Sequence, residues 1–530
     1  MVAAFGRAVA LDPQKEALEY FGRSFTYAEV DQHAAALAAG LAGRGVAKGD
    51  RVLVQLQNIP QFVFVTLAAW RLGASIVPVS PMYKVREVRK IVEDALPKVL
   101  VTARETWAAQ GPACVAETTI DTVVTTGFRD FAAEVPAVFA NLADDERDDS
   151  VADLAELIEA NAGRVPPEPD IDPSDTAVFT YTSGTTGPPK GALTSHRNLV
   201  WAGAAYVDFN GVPGADQVIL CQAPLVHITG LSLHLSAWLA HGSKLVLGYR
   251  FEPNLYLDLI QEQKVTWTTG AATAYIALLQ AARKHPRDVS SLRVLGSGGA
   301  PIPTEMAREI HEVLGVQLQP GYGLTESTAA VASTPRGAAP RVDPESGIIS
   351  VGLPMFDTQL RITGPDGAEV PAGERGEVCL RGEGIVGSYW RNPEATSETF
   401  RGGWLHTGDV GFVDADGWLY IVDRTKNMIV ASGYKVWPRE VEDVLYQHPA
   451  VREVAVVGIP DAYRGESVKA FVSLAGGPRP SQDELITYCK DKLAAYKVPR
   501  EIAFLDELPK NFNGKIMHRE LKQAAAGGRA

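Results

Sequence analysis

Short apolar runs alternate with segments of helical spacing along the first hundred residues, and this alternation restricts the folds open to the chain. Strand-like runs begin at Arg51, Ser75 and Lys98, and the segments 62–72 and 85–95 between them have the apolar period of helices. Such alternation predicts β-α-β units and a mostly parallel sheet covered on both faces.

The same alternation returns after residue 170, where strands are predicted from Lys244, Lys264 and Arg293 and a helix over 304–314. Two α/β layers are therefore expected. From about residue 350 the apolar runs become short and are separated by Gly-Pro-Asp-Gly and Asp-Ala-Asp-Gly turns, which predicts hairpins in an antiparallel or barrel-like unit.

A charged link at 423–426 separates this region from a compact tail. In the tail, the sequence predicts a helix, two strands, a second helix and a last strand. Ser481 with Glu484 forms a capping-box signature at the second helix. The predicted fold class is α/β. It has a large N-terminal domain, 1–425, of two layered α/β subdomains plus a β-barrel-like subdomain, and a small mobile α+β domain, 426–530. The Ala/Gly-rich end from Ala524 is predicted to be disordered.

Length and charge exclude several classes of protein. A chain of 530 residues is too long for one core and suggests about three to four structural units. A net charge of −13 with no basic run argues against a nucleic-acid surface. The longest apolar run, 62–70, is too short to span a bilayer, and the charged residues near the N-terminus are not expected to form a secretory signal. A cytoplasmic protein is expected, and peripheral contact with a membrane stays open.

The cysteines indicate neither a metal site nor a disulfide framework. All of them are far apart in the sequence, with no C-x-x-C pair: Cys114, Cys221, Cys379 and Cys489. The spacing is typical of a protein in reducing cytosol.

Residues 181–191 read YTSGTTGPPKG, a loop of small, hydroxyl-bearing and cationic residues. The loop follows an apolar run at 177–179 and precedes a helix predicted from Ser195, so a phosphate-binding strand-loop-helix junction is expected. A Walker A loop needs Lys followed at once by Ser or Thr, whereas Lys190 is followed by Gly191. An ordinary surface turn is the alternative.

Four further motifs follow in order: GYGLTE from Gly321, HTGD from His406, DRTKNMIVASGYKV from Asp423 and NFNGKI from Asn511. With the loop at 181–191, they make the chain resemble the adenylate-forming enzymes, which include acyl-CoA synthetases, adenylation domains of peptide synthetases and firefly luciferase. The resemblance covers nearly the whole chain.

The resemblance implies a role for each matching residue. Tyr322 would stack on adenine, Asp409 and Arg424 would reach the ribose, and Lys426 would be the hinge of the tail domain. The residues expected to bind nucleotide or CoA are Thr182, Ser183, Gly184, Thr185, Thr186, Lys190, Gly298, Gly299, Ala300, Pro301, Gly321, Tyr322, Gly323, Asp409, Arg424, Lys426, Ser432, Gly433, Tyr434 and Lys435. Taken singly, a core tyrosine, a turn aspartate and a surface lysine are the alternatives.

Catalysis is assigned in the same way. Lys515 would contact the carboxylate and the α-phosphate together, Thr325 would bind a phosphate, and Glu326 would hold Mg²⁺. His227 would line the carboxylate end of the acyl pocket, although a satisfied core histidine is the alternative. Residues 432–435 would line the pantetheine tunnel.

The substrate is expected to be a carboxylic acid without an amine. Activators of amino acids carry an acidic residue near His227, and none occurs between Asp216 and Glu252. Small residues are expected to leave room for the acyl group: Gly230, Gly296, Ser297, Gly298, Ala329 and Ala330. The segment 436–461 resembles medium- and long-chain fatty-acyl-CoA ligases.

The sequence therefore predicts an AMP-forming acyl-CoA ligase that uses ATP, Mg²⁺ and CoA. An aryl-acid CoA ligase and an enzyme that loads a carrier protein share the same motifs and stay open. A luciferase-like enzyme is a weaker alternative, and a degenerate nucleotide sensor would be expected to lack Lys515 or Glu326. Assembly as a homodimer is compatible with the resemblance.

Overall fold

A computed structural model describes residues 1–143, 147–167, 169–182, 189–211, 214, 216–300, 302–424, 427–431, 434–461, 464–511 and 514–526. The described strands form four sheets. Three belong to the part of the chain before residue 425, and the fourth lies in the tail. None of the helices formed by the described residues combines the length and the apolar character needed to span a bilayer.

The first sheet is parallel except at one edge. Its strands are, in spatial order, Ala152–Asp153, Thr122–Thr126, Val99–Ala103, Arg51–Gln55, Ser75–Pro78, Thr176–Tyr181 and Gly191–Ser195, the last two antiparallel. The helices in this part of the sequence are Val2–Leu11, Tyr27–Ala42, Pro60–Arg71, Val85–Ala95, Arg104–Val115 and Leu154–Ala160, with a 3₁₀ turn at Ala137–Phe139. Val52, Leu53 and Val54 are fully buried, as expected for a parallel strand covered on both faces.

The second sheet has a parallel centre with antiparallel edges. Its strands are, in order, Leu353–Pro354, Ala329–Ser333, Leu318–Leu324, Val294–Ser297, Trp267–Gly270, Val218–Leu220, Lys244–Leu247, Glu16–Tyr20 and Arg23–Thr26. The helices in this region are His196–Phe209, Ile228–Gly230, Ala237–His241, Pro253–Gln263, Ala272–Lys284 and Thr304–Leu314, with a π-helical stretch at Leu231–Ser236 and a 3₁₀ turn at Thr325–Ser327. One apolar core, which includes the buried helix Pro60–Arg71, joins this sheet to the first.

The third sheet is antiparallel. Its strands are Thr358–Thr363, Gly376–Gly382, Trp404–Val413, Phe400–Arg401 and Leu419–Arg424, and the helix Pro393–Thr399 precedes the short strand. Thr358–Thr363 and Leu419–Arg424 each pair with a longer neighbour.

The tail sheet has its own apolar core. Its strands are Tyr434–Val436, Ile429–Ala431, Gly465–Leu474, Val451–Asp461 and Glu501–Phe504, and its helices are Pro438–Tyr446, Gln482–Lys490 and His518–Ala526. Ser481 caps the second of these helices in a capping box with Glu484, as predicted.

The predicted α/β fold class is confirmed, with three local corrections. The strand Gly191–Ser195 separates the phosphate-loop motif from the helix His196–Phe209, so the motif connects two antiparallel strands instead of a strand and a helix. The strand expected from Lys264 begins at Trp267, because Lys264 itself ends the preceding helix in a left-handed conformation. Of the end predicted to be disordered, residues 524–526 belong to the helix His518–Ala526, and residues 527–530 lie outside the described part of the chain.

Candidate functional site

Neighbouring parallel strands of the second sheet end at one edge, and several predicted site residues follow them there. His227 lies beyond Val218–Leu220, Gly298 directly follows Val294–Ser297, and Thr325 directly follows Leu318–Leu324. Crevices outside the carboxyl ends of parallel strands are where α/β proteins bind ligands. Gly298 lies against the next strand, because a Cβ atom there would be 2.8 Å from the carbonyl oxygen of Gly321. Gly299 has a φ of +78° and Ala300 follows it in the same turn.

Tyr322, Asp409 and Arg424 form a polar trio between the second and third sheets, in which Tyr322 and Asp409 are buried and the Arg424 side chain is 35% exposed. The Tyr322 hydroxyl donates to Asp409 Oδ2 at 2.6 Å, and Arg424 Nε lies 3.0 Å from Asp409 Oδ1. Asp409 and Arg424 are cross-strand partners, which explains why their side chains meet. The Asp409 carboxylate is 4% exposed. Each of its oxygens can accept a second hydrogen bond, as two ribose hydroxyls would require.

Tyr322 is nearly buried among aliphatic side chains of the third sheet and of the strand Ala329–Ser333. Burial, and then the charge of Asp409, raises the pKa of its hydroxyl, so Tyr322 is a neutral donor. Gly321 and Gly323 flank it in the strand Leu318–Leu324. Stacking of Tyr322 on adenine stays a prediction.

Glu326 and Lys190 meet at the side chain of Tyr389. The Tyr389 hydroxyl donates to Glu326 Oε1 at 2.5 Å, and Lys190 Nζ lies 5.0 Å from the centre of the ring. Segment 388–390 pairs with the strand Gly191–Ser195, through Trp390 N to Gly191 O at 2.8 Å, and this pairing brings Tyr389 to the phosphate-loop motif. Sequence reasoning missed Tyr389, because no local pattern predicts an isolated bridge across nearly two hundred residues.

Glu326 fits a magnesium ligand. Its carboxylate is half-buried and is linked through Tyr389 to Lys190, and Mg²⁺ is usually held by one or two carboxylates together with waters and substrate phosphates. Burial lowers the pKa of the nearby Arg424 side chain, but the charges of Asp409 and Glu326 outweigh burial and raise that pKa. Arg424 therefore keeps its positive charge beside both carboxylates.

His227 is a neutral hydrogen-bond donor. Its Nδ1 accepts the backbone N–H of Thr229 at 3.2 Å, so in the neutral ring the proton is on Nε2. Burial, and then the positive charge of Lys515, lowers the pKa of His227 to about 4. The ring therefore presents an Nε2–H group at neutral pH.

Lys515 lies on a turn that rests against the second sheet. Asn511 accepts the Gly514 N–H at 2.9 Å through its carbonyl, and its side chain accepts the Lys515 N–H at 2.9 Å. Gly514 has a φ of +76°, and a Cβ atom there would be 2.5 Å from the Oγ1 of Thr273, just beyond the strand Trp267–Gly270. The turn thus brings the tail's Lys515 to the edge that holds His227.

Polar contacts also join the tail to the part of the chain before residue 425 at other positions. Arg439 Nη2 donates to the carbonyl of Ile302 at 2.9 Å, next to residues 298–301, which are predicted to bind nucleotide or CoA. Arg375 of the third sheet forms an ion pair with Glu440 at 3.1 Å. Both tail residues belong to the helix Pro438–Tyr446.

The acyl-pocket prediction is wrong for two glycines. A Cβ atom at Gly230 would collide with the carbonyl of Pro224, and one at Gly296 would collide with the Tyr206 hydroxyl. These glycines are needed for close packing and do not leave open space. Ser297, Ala329 and Ala330 are also buried.

The remaining predicted residues belong to the phosphate-loop motif, to the segment 432–435 and to positions outside the described part of the chain. Thr182 N donates to Lys190 O at 2.9 Å and so closes the base of the phosphate-loop motif. Tyr434 is exposed and stacks on Tyr496 with ring centres 4.7 Å apart, and Lys435 follows it in the strand Tyr434–Val436. Eight predicted residues lie outside the described part of the chain: Ser183, Gly184, Thr185, Thr186, Pro301, Lys426, Ser432 and Gly433.

Comparison with known proteins gives extensive matches. AMP-binding enzymes match residues 5–390, and the C-terminal domain of AMP-binding enzymes matches residues 440–515. The chain is 35% identical to a feruloyl-CoA synthase of an Amycolatopsis species (98% of this chain, 97% of the relative), and 34% identical to a long-chain-fatty-acid–CoA ligase of Bacillus subtilis (96% and 91%). ATP-bound MatB from Rhodopseudomonas palustris has a TM-score of 0.88 at 29% identity over 100% of both chains, and the apo form of MatB has a TM-score of 0.75 over the same coverage.

Fold, site and relatives together define an acid–thiol ligase. The chain belongs to the AMP-binding enzyme family, the adenylate-forming enzymes, and is an acid–CoA ligase within it. The predicted family and enzyme class are confirmed.

Proposed function

We propose that the protein activates a carboxylic acid with ATP and then transfers the acyl group to CoA. In the first half-reaction the carboxylate attacks the α-phosphate in line, pyrophosphate leaves, and an acyl-adenylate forms. In the second, the CoA thiol attacks the acyl carbonyl and AMP leaves. The observation that carries the proposal is the contact of Gly514 with Thr273, beside which the charge of Lys515 lies close enough to lower the pKa of His227.

Lys515 is suited to the first half-reaction because both reactants are anions. Its ammonium group would neutralise charge as the carboxylate approaches the phosphoryl group, and one such positioned donor is typically worth about 10²- to 10³-fold in rate. His227 stays neutral at pH 7, so its Nε2–H would bind a substrate oxygen without adding a second cation.

Magnesium would be held by Glu326 together with phosphate oxygens. When bound, the ion neutralises charge on the phosphates and orients them. Thr325 would donate its hydroxyl to a phosphate, Lys190 would contribute a second cation, and the Tyr389 hydroxyl would hold the Glu326 carboxylate in position.

The second half-reaction is proposed to need rotation of the tail, with the division between domains at residues 425 and 426. The tail has its own core, and the contacts described above between it and the rest of the chain are polar. The closer match to ATP-bound MatB than to apo MatB supports an arrangement suited to adenylation. Rotation about Lys426 would withdraw Lys515 and bring residues 432–435 to the pantetheine of CoA.

A fatty acid is the first candidate substrate. Residues 217–251 contain no aspartate or glutamate. Burial lowers the pKa of His234 to about 3, so this buried side chain and His227 are both uncharged at neutral pH. A site without a carboxylate disfavours an ammonium group and accepts an alkyl chain.

An aryl acid with a hydroxyl group is the second candidate. Among the described residues, neither Gln222 Nε2 nor Ser297 Oγ has a hydrogen-bond partner, although both side chains are buried at the carboxyl edge of the second sheet. An unpaired buried polar group costs about 1–3 kcal/mol, which a hydroxyl on the substrate would recover. The feruloyl-CoA synthase relative makes this class worth direct comparison.

The proposal is tested with Lys515→Ala, using Lys522→Ala as a control on an exposed lysine that pairs with Glu466 in the same domain. Lys515→Ala should slow pyrophosphate release by about 10²-fold or more. It should still convert supplied acyl-adenylate and CoA to thioester, and the control should keep both half-reactions. Normal pyrophosphate release by Lys515→Ala would refute the role.

Substrate class is tested by pyrophosphate release across straight-chain fatty acids and aromatic acids, each with and without a hydroxyl group. Gln222→Leu should lower activity about 10-fold on hydroxylated aryl acids and leave fatty acids unchanged if the second candidate is right. Pyrophosphate release that depends on CoA distinguishes a CoA ligase from an enzyme that loads a carrier protein. The cytoplasmic location, the homodimer and membrane contact stay predictions.

A further inference from the structure

Glu377, Cys379 and His406 lie on one face of the third sheet. Glu377 and Cys379 are two residues apart in the strand Gly376–Gly382, so their side chains point to the same side. His406, in the strand Trp404–Val413, is the direct cross-strand partner of Cys379. Strand pairing therefore brings a carboxylate, a thiol and an imidazole together, although the two segments are more than twenty residues apart.

The three ligand atoms converge. His406 Nδ1 lies 2.9 Å from Glu377 Oε2 and 3.5 Å from Cys379 Sγ, and all the candidate ligand atoms lie within 4.8 Å of one another. Among the described residues, this is the one group of three or more such side chains with a geometry that could hold a metal ion. It differs from the magnesium site proposed at Glu326.

Sulfur, imidazole nitrogen and carboxylate oxygen form a ligand set that zinc accepts and magnesium does not. Cys379 is fully buried, whereas the side chains of His406 and Glu377 are 14% and 29% exposed. An ion can therefore enter from the solvent side and keep one position for water, as zinc sites with three protein ligands do.

Two arginine side chains lie near the cluster of Glu377, Cys379 and His406. Arg361 faces Cys379 from the other neighbouring strand, and its guanidinium stacks on Trp404 at 4.2 Å. Arg401 is exposed, and its Nη2 lies 3.7 Å from Glu377 Oε2. A divalent ion bound by one thiolate and one carboxylate is electrically neutral as a unit, so these arginines do not exclude it.

We propose that Glu377, Cys379 and His406 bind a zinc-like divalent metal ion, which ties two strands of the third sheet together. The ion would stabilise the strand that carries Asp409, three residues after His406. The Cys379 sulfur would bind as a thiolate, so its proton would leave as the ion binds.

The test uses the full-length protein, treated with a chelator and titrated with Co²⁺ and then Zn²⁺. Wild type should bind one ion per chain, show the near-ultraviolet sulfur-to-cobalt absorption, and lose that absorption as Zn²⁺ displaces Co²⁺. Cys379→Ser should abolish the absorption. Cys489→Ser, the same change at a buried cysteine of the tail helix Gln482–Lys490, should leave it intact.

Glu377→Gln and His406→Gln should each weaken Zn²⁺ binding at least 10-fold, measured by competition with a chromophoric chelator. Zn²⁺ should raise the melting temperature of wild type by several degrees and that of Cys379→Ser much less. Equal Zn²⁺ affinity in wild type and Cys379→Ser, or no sulfur-to-cobalt absorption in wild type, would overturn the proposal and leave these residues as a hydrogen-bonded cluster.

Discussion

The proposed ribose trio, Tyr322, Asp409 and Arg424, and the turn with Lys515 are expected to serve the same site, but they are built differently. Tyr322, Asp409 and Arg424 are bonded to one another between two sheets. The turn with Lys515 touches the larger part of the chain near Thr273, where the Thr273 hydroxyl donates to Gly514 O at 3.4 Å. A trio bonded to itself between two sheets suits a group that must bind nucleotide in both half-reactions, whereas a turn carried by the tail suits a group that must leave.

After Lys515→Ala, the largest effect is expected for Asp409→Asn. Loss of the carboxylate removes charge-assisted hydrogen bonds worth about 1.5–3 kcal/mol each, so KM for ATP should rise about 10- to 100-fold. AMP binding should weaken to a similar extent, because the trio would hold ribose throughout.

Asp416→Asn is the matched control, since Asp416 is an exposed residue of the same region that pairs with Arg341. Steady-state kinetics and equilibrium AMP binding check both variants. If Asp409→Asn altered only the rate of pyrophosphate release and left AMP affinity unchanged, the trio would not be the permanent ribose site.

Gly514→Ala should affect one half-reaction only. The left-handed φ of +76° and the contact with Thr273 Oγ1 make a Cβ atom unfavourable there, at a cost of roughly 1–2 kcal/mol. Pyrophosphate release should fall about 10-fold, while thioester formation from supplied adenylate is kept.

The control is Gly477→Ala, a tail glycine that also has a positive φ but has open space around its Cβ position. Single-turnover measurements of each half-reaction separate the two variants. An equal slowing of both half-reactions by Gly514→Ala would mean that the turn does not leave the site.

The junction between the two regions is expected to respond to pH through Asp423. Burial, and then the charge of Glu442, raises the pKa of Asp423 to about 6. A raised folded-state pKa gives stability that is present below the ordinary pKa near 4 and is lost as pH rises through 6. Because of this group, the free energy of unfolding of wild type should therefore fall by about 1 kcal/mol between pH 5 and pH 7.

Asp423→Asn should remove this contribution to the pH dependence of the free energy of unfolding, measured by urea unfolding at pH 5 and pH 7. Asp416→Asn serves again as the control. An unchanged difference between the two pH values in Asp423→Asn would show that Asp423 is ionised throughout and that the junction is more hydrated than its burial indicates.

The smallest effect is expected for Tyr389→Phe. Loss of one hydrogen bond to Glu326 leaves the carboxylate less well positioned, at a cost of about 0.5–1 kcal/mol. The Mg²⁺ concentration for half-maximal activity should rise about three- to fivefold. Tyr420→Phe, which removes a longer hydroxyl contact to Asp414, should leave it unchanged, and a similar rise in both variants would argue against Glu326 as the magnesium ligand.

Local patterns were sufficient for the regular elements. The helix Thr304–Leu314 has the predicted bounds, and Ser481 starts its helix as its capping box indicates. Apolar spacing and caps act within a few residues, so the sequence reveals them directly. The order of motifs was likewise enough to predict the family.

Long-range pairing was not visible in the sequence. Tyr389 reaches Glu326 through a bridge to the strand Gly191–Ser195, and Cys379 meets His406 through strand register. The packing that fills the space at Gly230 and Gly296 was equally hidden. Sequence determines which residues alternate, cap and turn, whereas the folded chain decides which distant side chains share a volume, because register and close packing depend on partners far away along the chain.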